Sequence, residues 1–353
     1  MTLPNQGNNI LIITSMHRSG SSLTASLLQS AGLHIGRQLL KGRPDNPKGN
    51  FENIDFIDFH KAVLRSQGID EDGWTLQKNI EVEDNFIKQA EELIAKNAIS
   101  KFWGWKEPRT TLFLNFWGNF LPKAKFALMY RSPWEVADSL YRRGDHIYQE
   151  RPEFAIKVWM HYNQNILDFY NRNSERCFLV NIHTLVRHQE SCIQTINQQW
   201  NLNLTPPESS IYDPSLLHTQ NFDSYRPSLI QATFPEAIQL YKELEARAWQ
   251  PNETPDFSWQ EQIVESPYRI WAFQDWVKRR NIEKQTTEKL DQQRQALKEK
   301  DNELEAVKAQ LEEARAKKKQ YQEQLQESQQ SLQRSQQEKQ QTQQQLESLQ
   351  QEH

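Results

Sequence analysis

A chain of 353 residues with 42 Lys and Arg against 46 Asp and Glu carries a formal charge of −4, which excludes a general nucleic-acid binder that relies on a basic surface. Its two cysteines, Cys177 and Cys192, form no C-x-x-C pair, so neither a disulfide framework nor a zinc site is expected, and both should be buried thiols of a reducing compartment. No basic segment leading into an apolar stretch stands at the N-terminus and no apolar run approaches the ~20 residues that span a bilayer, so the expected location is cytoplasmic, without a transmembrane segment.

In chain order, an apolar strand from Ile10 to Thr14 leads into the loop S-M-H-R-S-G-S-S and a helix over Ser22 to Ser30. Backbone N–H groups at a helix N-terminus lack internal partners and the helix dipole favours an anion there, so Gly20 with Ser19, Ser21 and Ser22 can cradle a phosphate. Arg18 adds a charge-assisted donor; the competing reading is a plain strand-to-helix turn whose serines cap the helix. The nucleoside-triphosphatase pattern G-x-x-x-x-G-K-[ST] is absent and the loop has no Lys, which disfavours a nucleotide kinase.

Helical patterns follow at Ile54 to Ser66 and Asp84 to Asn97, then a strand at Phe102 to Trp105 that enters G-W-K-E-P-R-T. A third strand, Phe126 to Tyr130, precedes Arg131 and a helix from Pro133 to Arg143, which places Arg131 at a strand end and Ser139 on the second turn, where both can face one anion. A helix over Glu153 to Asn171, a strand over Cys177 to Ile182 and a helix over Leu185 to Trp200 complete the alternation. Strands alternating with helices predict an α/β fold: a P-loop-like three-layer domain over residues 1–280, with a central parallel β-sheet flanked by helices. Ligands of such sheets sit beyond the carboxyl ends of the strands, so the loops after Thr14, Trp105 and Tyr130 should converge. Trp74, Trp103, Trp105, Phe113, Phe116 and Trp117 read as core more readily than as ring-stacking platforms.

Residues 281–353 contain no Gly, Pro, Trp or Cys and are dominated by Gln, Glu and Lys, which predicts a long C-terminal α-helix. Leu290, Leu297, Leu304, Leu311, Leu325, Leu332 and Leu346 share one heptad position, interrupted by Lys318 and Lys339. The position three residues on is mostly polar apart from Val307, Ala314, Tyr321 and Leu349. Such a half-filled seam suits a coiled coil and a homodimer; a spacer to another domain and a solvated single helix are the alternatives.

Taken together, S-M-H-R-S-G-S-S-L and M-Y-R-S-P-W-E-V-A-D-S-L-Y resemble the two signature regions of the sulfotransferase family, whose donor is 3′-phosphoadenosine 5′-phosphosulfate. By this resemblance Arg18, Ser19, Gly20, Ser21 and Ser22 grip the 5′-phosphosulfate, with His17 a wall of the donor pocket, and Arg131 and Ser139 grip the 3′-phosphate. The resemblance runs from Asn9 to His218, including F-L-V-N-I-H-T-L-V-R and I-Y-D-P-S-L-L-H, and does not cover the tail. G-W-K-E-P-R-T resembles the strand end that turns a Lys, here Lys106, toward the donor; many members place a basic His two residues later, where this chain has Pro108. D-N-P-K-G-N-F-E-N, Asp45 to Asn53, resembles a stretch of a bacterial, carbohydrate-type branch and makes Glu52 the preferred base, against a reading as cap of the helix at Ile54; Glu107 and His60 are the fallback bases. No G-x-x-G-x-W-K stretch occurs, so Arg226 or Arg143 would have to replace its late phosphate contact, although Arg226 before a Pro reads as an ordinary surface residue.

The implied reaction moves a sulfonate group in line to a hydroxyl of a carbohydrate or glycan precursor, with Glu52, Lys106 and Arg18 as the catalytic residues and no metal. Arg109 would hold either an acidic acceptor or the chain's own Glu107. A non-catalytic nucleotide-binding coiled-coil scaffold is the alternative, suggested by the missing His and the long tail.

Overall fold

The computed structural model describes residues 9–40, 50–207, 225–252, 254–263 and 269–351. The chain divides into two compact units, residues 1–284 and 285–353. Within the first, four parallel strands, β1 (Asn9–Ser15), β2 (Phe102–Lys106), β3 (Lys125–Tyr130) and β4 (Cys177–Asn181), form one sheet in the order β2-β1-β3-β4. The strands are buried on both faces, so their sequences are apolar throughout rather than alternating with polar residues.

Successive side chains leave a strand on opposite faces, and the core splits accordingly. Ile12, Trp103, Trp105, Phe126, Leu128, Tyr130 and Leu179 belong to one apolar cluster. It also holds residues of α2 (Ile54–Ser66), α3 (Asp84–Asn97), α4 (Leu114–Phe120), α5 (Pro133–Arg143), α6 (His146–Glu150) and α7 (Glu153–Asn173). Leu11, Ile13, Ala127, Met129, Phe178 and Val180 point the other way, into a second cluster with α1 (Ser21–Ser30), α8 (Ile182–Arg187) and α9 (Gln189–Trp200). Helix, sheet, helix is the three-layer arrangement that the alternating pattern predicts.

The elements differ from the sequence reading in several places. The helix expected over Leu185 to Trp200 is two, α8 and α9, broken at His188, whose backbone leaves helical geometry. The fourth strand stops at Asn181 rather than Ile182, because the Asn181 side chain accepts the His183 N–H at 2.9 Å and so caps α8. The short helices α4 and α6 carry no predicted counterpart, nor do α10 (Tyr225–Thr233), α11 (Pro235–Arg247) and the first turns of α12 (Arg269–Gln351), which begins before residue 281. In that early part Phe273, Trp276 and Val277 are buried in the first core cluster. The predicted core aromatics are core: Trp103, Trp105, Phe113 and Trp117 are fully enclosed, Trp74 nearly so, and Phe116 packs against the cluster. Cys177 and Cys192 are free and buried, and burial pushes the Cys177 thiol up to about 12.

The second unit consists of the remainder of α12. Its described side chains are exposed, and among the described residues no helix is long and apolar enough to cross a membrane.

Candidate functional site

The three loops predicted to converge do so at the carboxyl ends of β1, β2 and β3. The β1–α1 loop turns through two left-handed residues, Arg18 (φ 66) and Gly20 (φ 90). The second must be glycine on two counts: its φ, and a Cβ there would lie 2.3 Å from Cγ1 of Ile182. Gly20 stands at the N-cap of α1, and no side chain caps the helix, which removes the reading of these serines as helix caps. Ser19 is fully buried, and its Oγ has no hydrogen-bond partner among the described residues. A buried hydroxyl and an uncapped helix N-terminus within three residues form a donor set suited to an anion.

Arg18 turns its guanidinium across the sheet, and its Nε donates to Ser139 Oγ on α5 at 2.8 Å. This bond joins the two loops that the sequence singled out, which lie 121 residues apart. Arg131, at the end of β3, pairs through Nη2 with Glu135 Oε1 one turn along α5 at 3.1 Å. Glu135 also accepts from Ser132 Oγ at 2.5 Å and meets His183 Nε2 at 2.7 Å. Burial opposes ionisation of Glu135, but Arg131, His183 and Ser132 together outweigh it and hold the carboxyl near about 2, so it stays ionised and keeps the Arg131 fork in place. Sequence reasoning missed Glu135 and His183. The Arg131 to Glu135 spacing of four was a visible signal, whereas His183 arrives from β4's far end and left none.

Lys106 ends β2 almost wholly buried. Its Nζ donates to Glu52 Oε1 at 2.8 Å, to the Asn50 carbonyl at 3.0 Å and to Ser22 Oγ at 3.2 Å, while Ser22 donates to the same carbonyl. Lys106 therefore touches both Ser22 and Glu52, two of the residues expected around the transfer site, while Arg18, the third expected catalytic residue, bonds to Ser139. Glu52 does not cap α2: Asn53 does, accepting the Asp55 N–H at 3.0 Å. Residues 45–49 of the stretch that suggested Glu52, and Ile211 to His218, lie outside the described residues.

The fallback bases are placed differently. His60 and Glu107 are both fully buried and bonded to each other at 2.8 Å. Trp117 Nε1 donates to His60 Nε2 at 2.9 Å, so the His60 proton sits on Nδ1 and is directed at Glu107. Arg109 Nη1 holds the other Glu107 oxygen at 2.5 Å. Burial of Glu107 is outweighed by Arg109 and His60, which keep its carboxyl far below the usual range. Both groups are thus enclosed and bonded to each other, and Arg109 holds the chain's own Glu107 while also binding the Glu71 carbonyl and Asp72. His17 lies against Trp74, ring centroids 4.7 Å apart, with a buried Nε2 that has no partner among the described residues. Burial, then the charges of Arg109 and Arg143, hold its pKa well below the usual imidazole value, so its ring is neutral near pH 7.

Arg226 is not a surface residue. It is 5 % exposed, lies over the Trp276 ring at 4.5 Å and pairs with Asp138 at 3.2 Å. Asp138 also accepts from Trp276 Nε1 at 2.8 Å, Arg280 Nε at 2.6 Å and Arg142 Nη2 at 2.9 Å. The residue before Ser139 thereby ties α5 to α10 and to the beginning of α12. Arg143 is placed elsewhere, over the Trp74 ring at 5.1 Å.

No family model and no curated protein matches the chain. Among solved structures, it is similar to a sulfotransferase from Alicyclobacillus acidocaldarius, at 16% identity over 72% of this chain and 98% of that one, with a TM-score of 0.41. It is also similar to the sulfotransferase domain of the Synechococcus PCC 7002 olefin synthase, at 18% identity over 78% of this chain and 96% of that one, TM-score 0.35. The sulfotransferase domain from the curacin biosynthetic pathway gives 17% identity over 78% and 97%, TM-score 0.35.

Proposed function

We propose that this chain is a sulfotransferase that moves a sulfonate group from 3′-phosphoadenosine 5′-phosphosulfate to a hydroxyl of a carbohydrate or glycan precursor. The observation that carries the reading is the Arg18 to Ser139 hydrogen bond, which brings the two resembling signatures into one site at the carboxyl ends of β1 and β3. The fit to the donor rests on the buried, unpartnered Ser19 hydroxyl and the uncapped N-terminus of α1. When bound, the donor supplies an activated sulfonate whose departure leaves negative charge on a phosphate oxygen.

The chain's residues divide the remaining tasks. Ser19, Gly20, Ser21 and Ser22 hold the 5′-phosphosulfate, with His17 as a neutral wall, and Arg131 and Ser139 hold the 3′-phosphate. Lys106 and Arg18 stabilise the charge on the departing oxygen. Glu52, 13 % exposed and next to Lys106, accepts the proton of the acceptor hydroxyl. Once that proton arrives Glu52 is neutral, which releases the Lys106 ammonium from its carboxylate at the stage when the leaving oxygen becomes most negative. A carbohydrate acceptor is supported by the likeness of the segment around Glu52 to a carbohydrate-type branch, and a cytoplasmic setting by the two free thiols.

Calorimetry of 3′-phosphoadenosine 5′-phosphate against adenosine 5′-phosphate tests the reading. Much tighter binding of the 3′-phosphorylated nucleotide is expected. Equal or absent binding of both overturns it, and tight binding by a chain that never turns over with any hydroxyl acceptor favours a nucleotide-binding scaffold.

A further inference from the structure

The first unit uses no residue beyond Lys284, yet α12 continues to Gln351 with a regular row of large apolar side chains in water. Leu290, Leu297, Leu304, Leu311, Leu325, Leu332 and Leu346 are 46–61 % exposed, and Val307 and Tyr321 are exposed as well. All seven leucines fall at one heptad position. Val307, Ala314 and Tyr321 fall three residues on, which makes leucine position a and the second set position d. The opposite phase, with leucine at d, would put Arg294, Asp301, Lys308 and Arg315 in the seam, so the register is determined by charge as well as by apolarity. We propose that residues 290–346 pair with the same residues of a second copy of this chain as a parallel, in-register, two-stranded coiled coil.

The charges flanking the seam select this occupant. In a parallel pair each g position faces the e position five residues on in the other strand. With leucine at a, Glu303 faces Lys308 of the second copy, and the remaining g-to-e pairs from Ala296 to Glu338 contain no like-charged combination. Within its own helix Lys308 holds Glu305, at the outward b position, at 2.9 Å, a bond that pairing with Glu303 of the second copy would replace. Lys300 at d stands beside Asp301 of the other strand, and Lys339 at a beside Glu338. The cost is concentrated at Lys317 and Lys318, where like charges approach. It is lowest with two strands, because a Lys stem at a can then lie along the seam and deliver its amine to water, whereas a third strand would enclose it. This inference stands independently of the sulfotransferase reading.

Sedimentation equilibrium of the full chain, with and without Leu304→Asp and Leu311→Asp together, is the primary test. A dimer is expected for the natural sequence and a monomer for the variant at the same concentration, with the near-ultraviolet spectrum of the first unit unchanged. Oxidation of Gln293→Cys and Thr342→Cys chains, prepared separately, reads orientation independently of stability. Each should cross-link to itself, because d faces d in the in-register pair. A monomeric natural chain, a trimer or tetramer, or cross-linking only when the two Cys variants are mixed, which indicates antiparallel strands, overturns the proposal.

Discussion

Arg18 Nε donates to Ser139 Oγ at 2.8 Å, so a guanidinium from the first βα loop is held by the helix that follows the third strand. The bond couples the β1–α1 loop to α5 mechanically: Arg18 sits in a left-handed conformation that costs on the order of 1 kcal/mol for a residue with a side chain, and Ser139 provides one of the contacts that keep it there.

Ser139→Ala and Arg131→Ala should therefore differ in kind from changes around Lys106. Each should weaken 3′-phosphoadenosine 5′-phosphate by about 10- to 100-fold, the value of a lost charged hydrogen bond; Arg131→Ala should leave adenosine 5′-phosphate nearly unaffected, whereas Ser139→Ala also releases Arg18 and should weaken both nucleotides. Calorimetric titration of both nucleotides measures the ratio. An equal loss for both in Arg131→Ala would remove the 3′-phosphate from that residue.

Glu52→Gln keeps the shape of the side chain and its hydrogen bond to Lys106 but cannot take a proton. The expected loss is about 10²- to 10⁴-fold in kcat with little change in nucleotide affinity, read from initial rates of sulfonate transfer. Lys106→Met should lower kcat as well and should also disturb the Ser22 and Asn50 contacts that Nζ makes. Full turnover by Glu52→Gln would return the search for a base to residues outside the 50–53 segment.

The buried Glu135 makes stability depend on acid pH with a determined sign. Its carboxyl ionises at about 2 in the folded chain against 4.5 when unfolded, so its contribution is fully present above about pH 4.5 and is lost as pH falls toward 2. The depression corresponds to on the order of 3 kcal/mol. Glu135→Gln should be less stable than the natural chain at pH 7, and the gap should close toward pH 2 in urea-unfolding series. A gap that stays constant with pH would assign the loss to packing alone.

Gly20→Ala should abolish nucleotide binding and lower the melting temperature, because it imposes a positive φ on alanine and drives a methyl into Ile182. Adding Ile182→Ala relieves the contact but not the backbone, so it should restore the melting temperature in part. Complete restoration would show that φ was not limiting.

Asp138→Asn leaves Arg142, Arg226 and Arg280 around a neutral amide, and an uncompensated buried charge of this kind costs about 3 kcal/mol. Thermal unfolding should shift down by several degrees, with a change in Trp276 fluorescence as its Nε1–H loses a carboxylate partner. An unchanged melting temperature would mean that the beginning of α12 is held by burial of Phe273, Trp276 and Val277 rather than by the Asp138 charge.

The fold was largely legible. Runs such as Ile10 to Thr14 and Phe126 to Tyr130 are apolar on both faces because both faces are covered, and that alone marks parallel strands between helix layers. The split between α8 and α9 was not legible, since it depends on how Asn181 and His188 meet their neighbours and not on periodicity. Of the site, the residues attached to a strand end or a helix start, Arg18, Gly20, Lys106, Arg131 and Ser139, could be placed because secondary structure carries them to a predictable edge. Glu135, His183, Asp138 and the buried position of Arg226 required the tertiary structure.

By itself the sequence determined the four strands and the longer helices that alternate with them, the anion-suited loop at Arg18 to Ser22, and the heptad row of the tail, since all three are properties of local spacing and backbone preference. The tertiary structure alone decided which charges neutralise each other. It made Glu107 and His60 a closed buried pair, set Glu52 against Lys106, and turned Arg226 inward onto Asp138. The physical reason is that a charge taken out of water needs a partner within a few ångströms, and folding supplies it from segments far away along the chain.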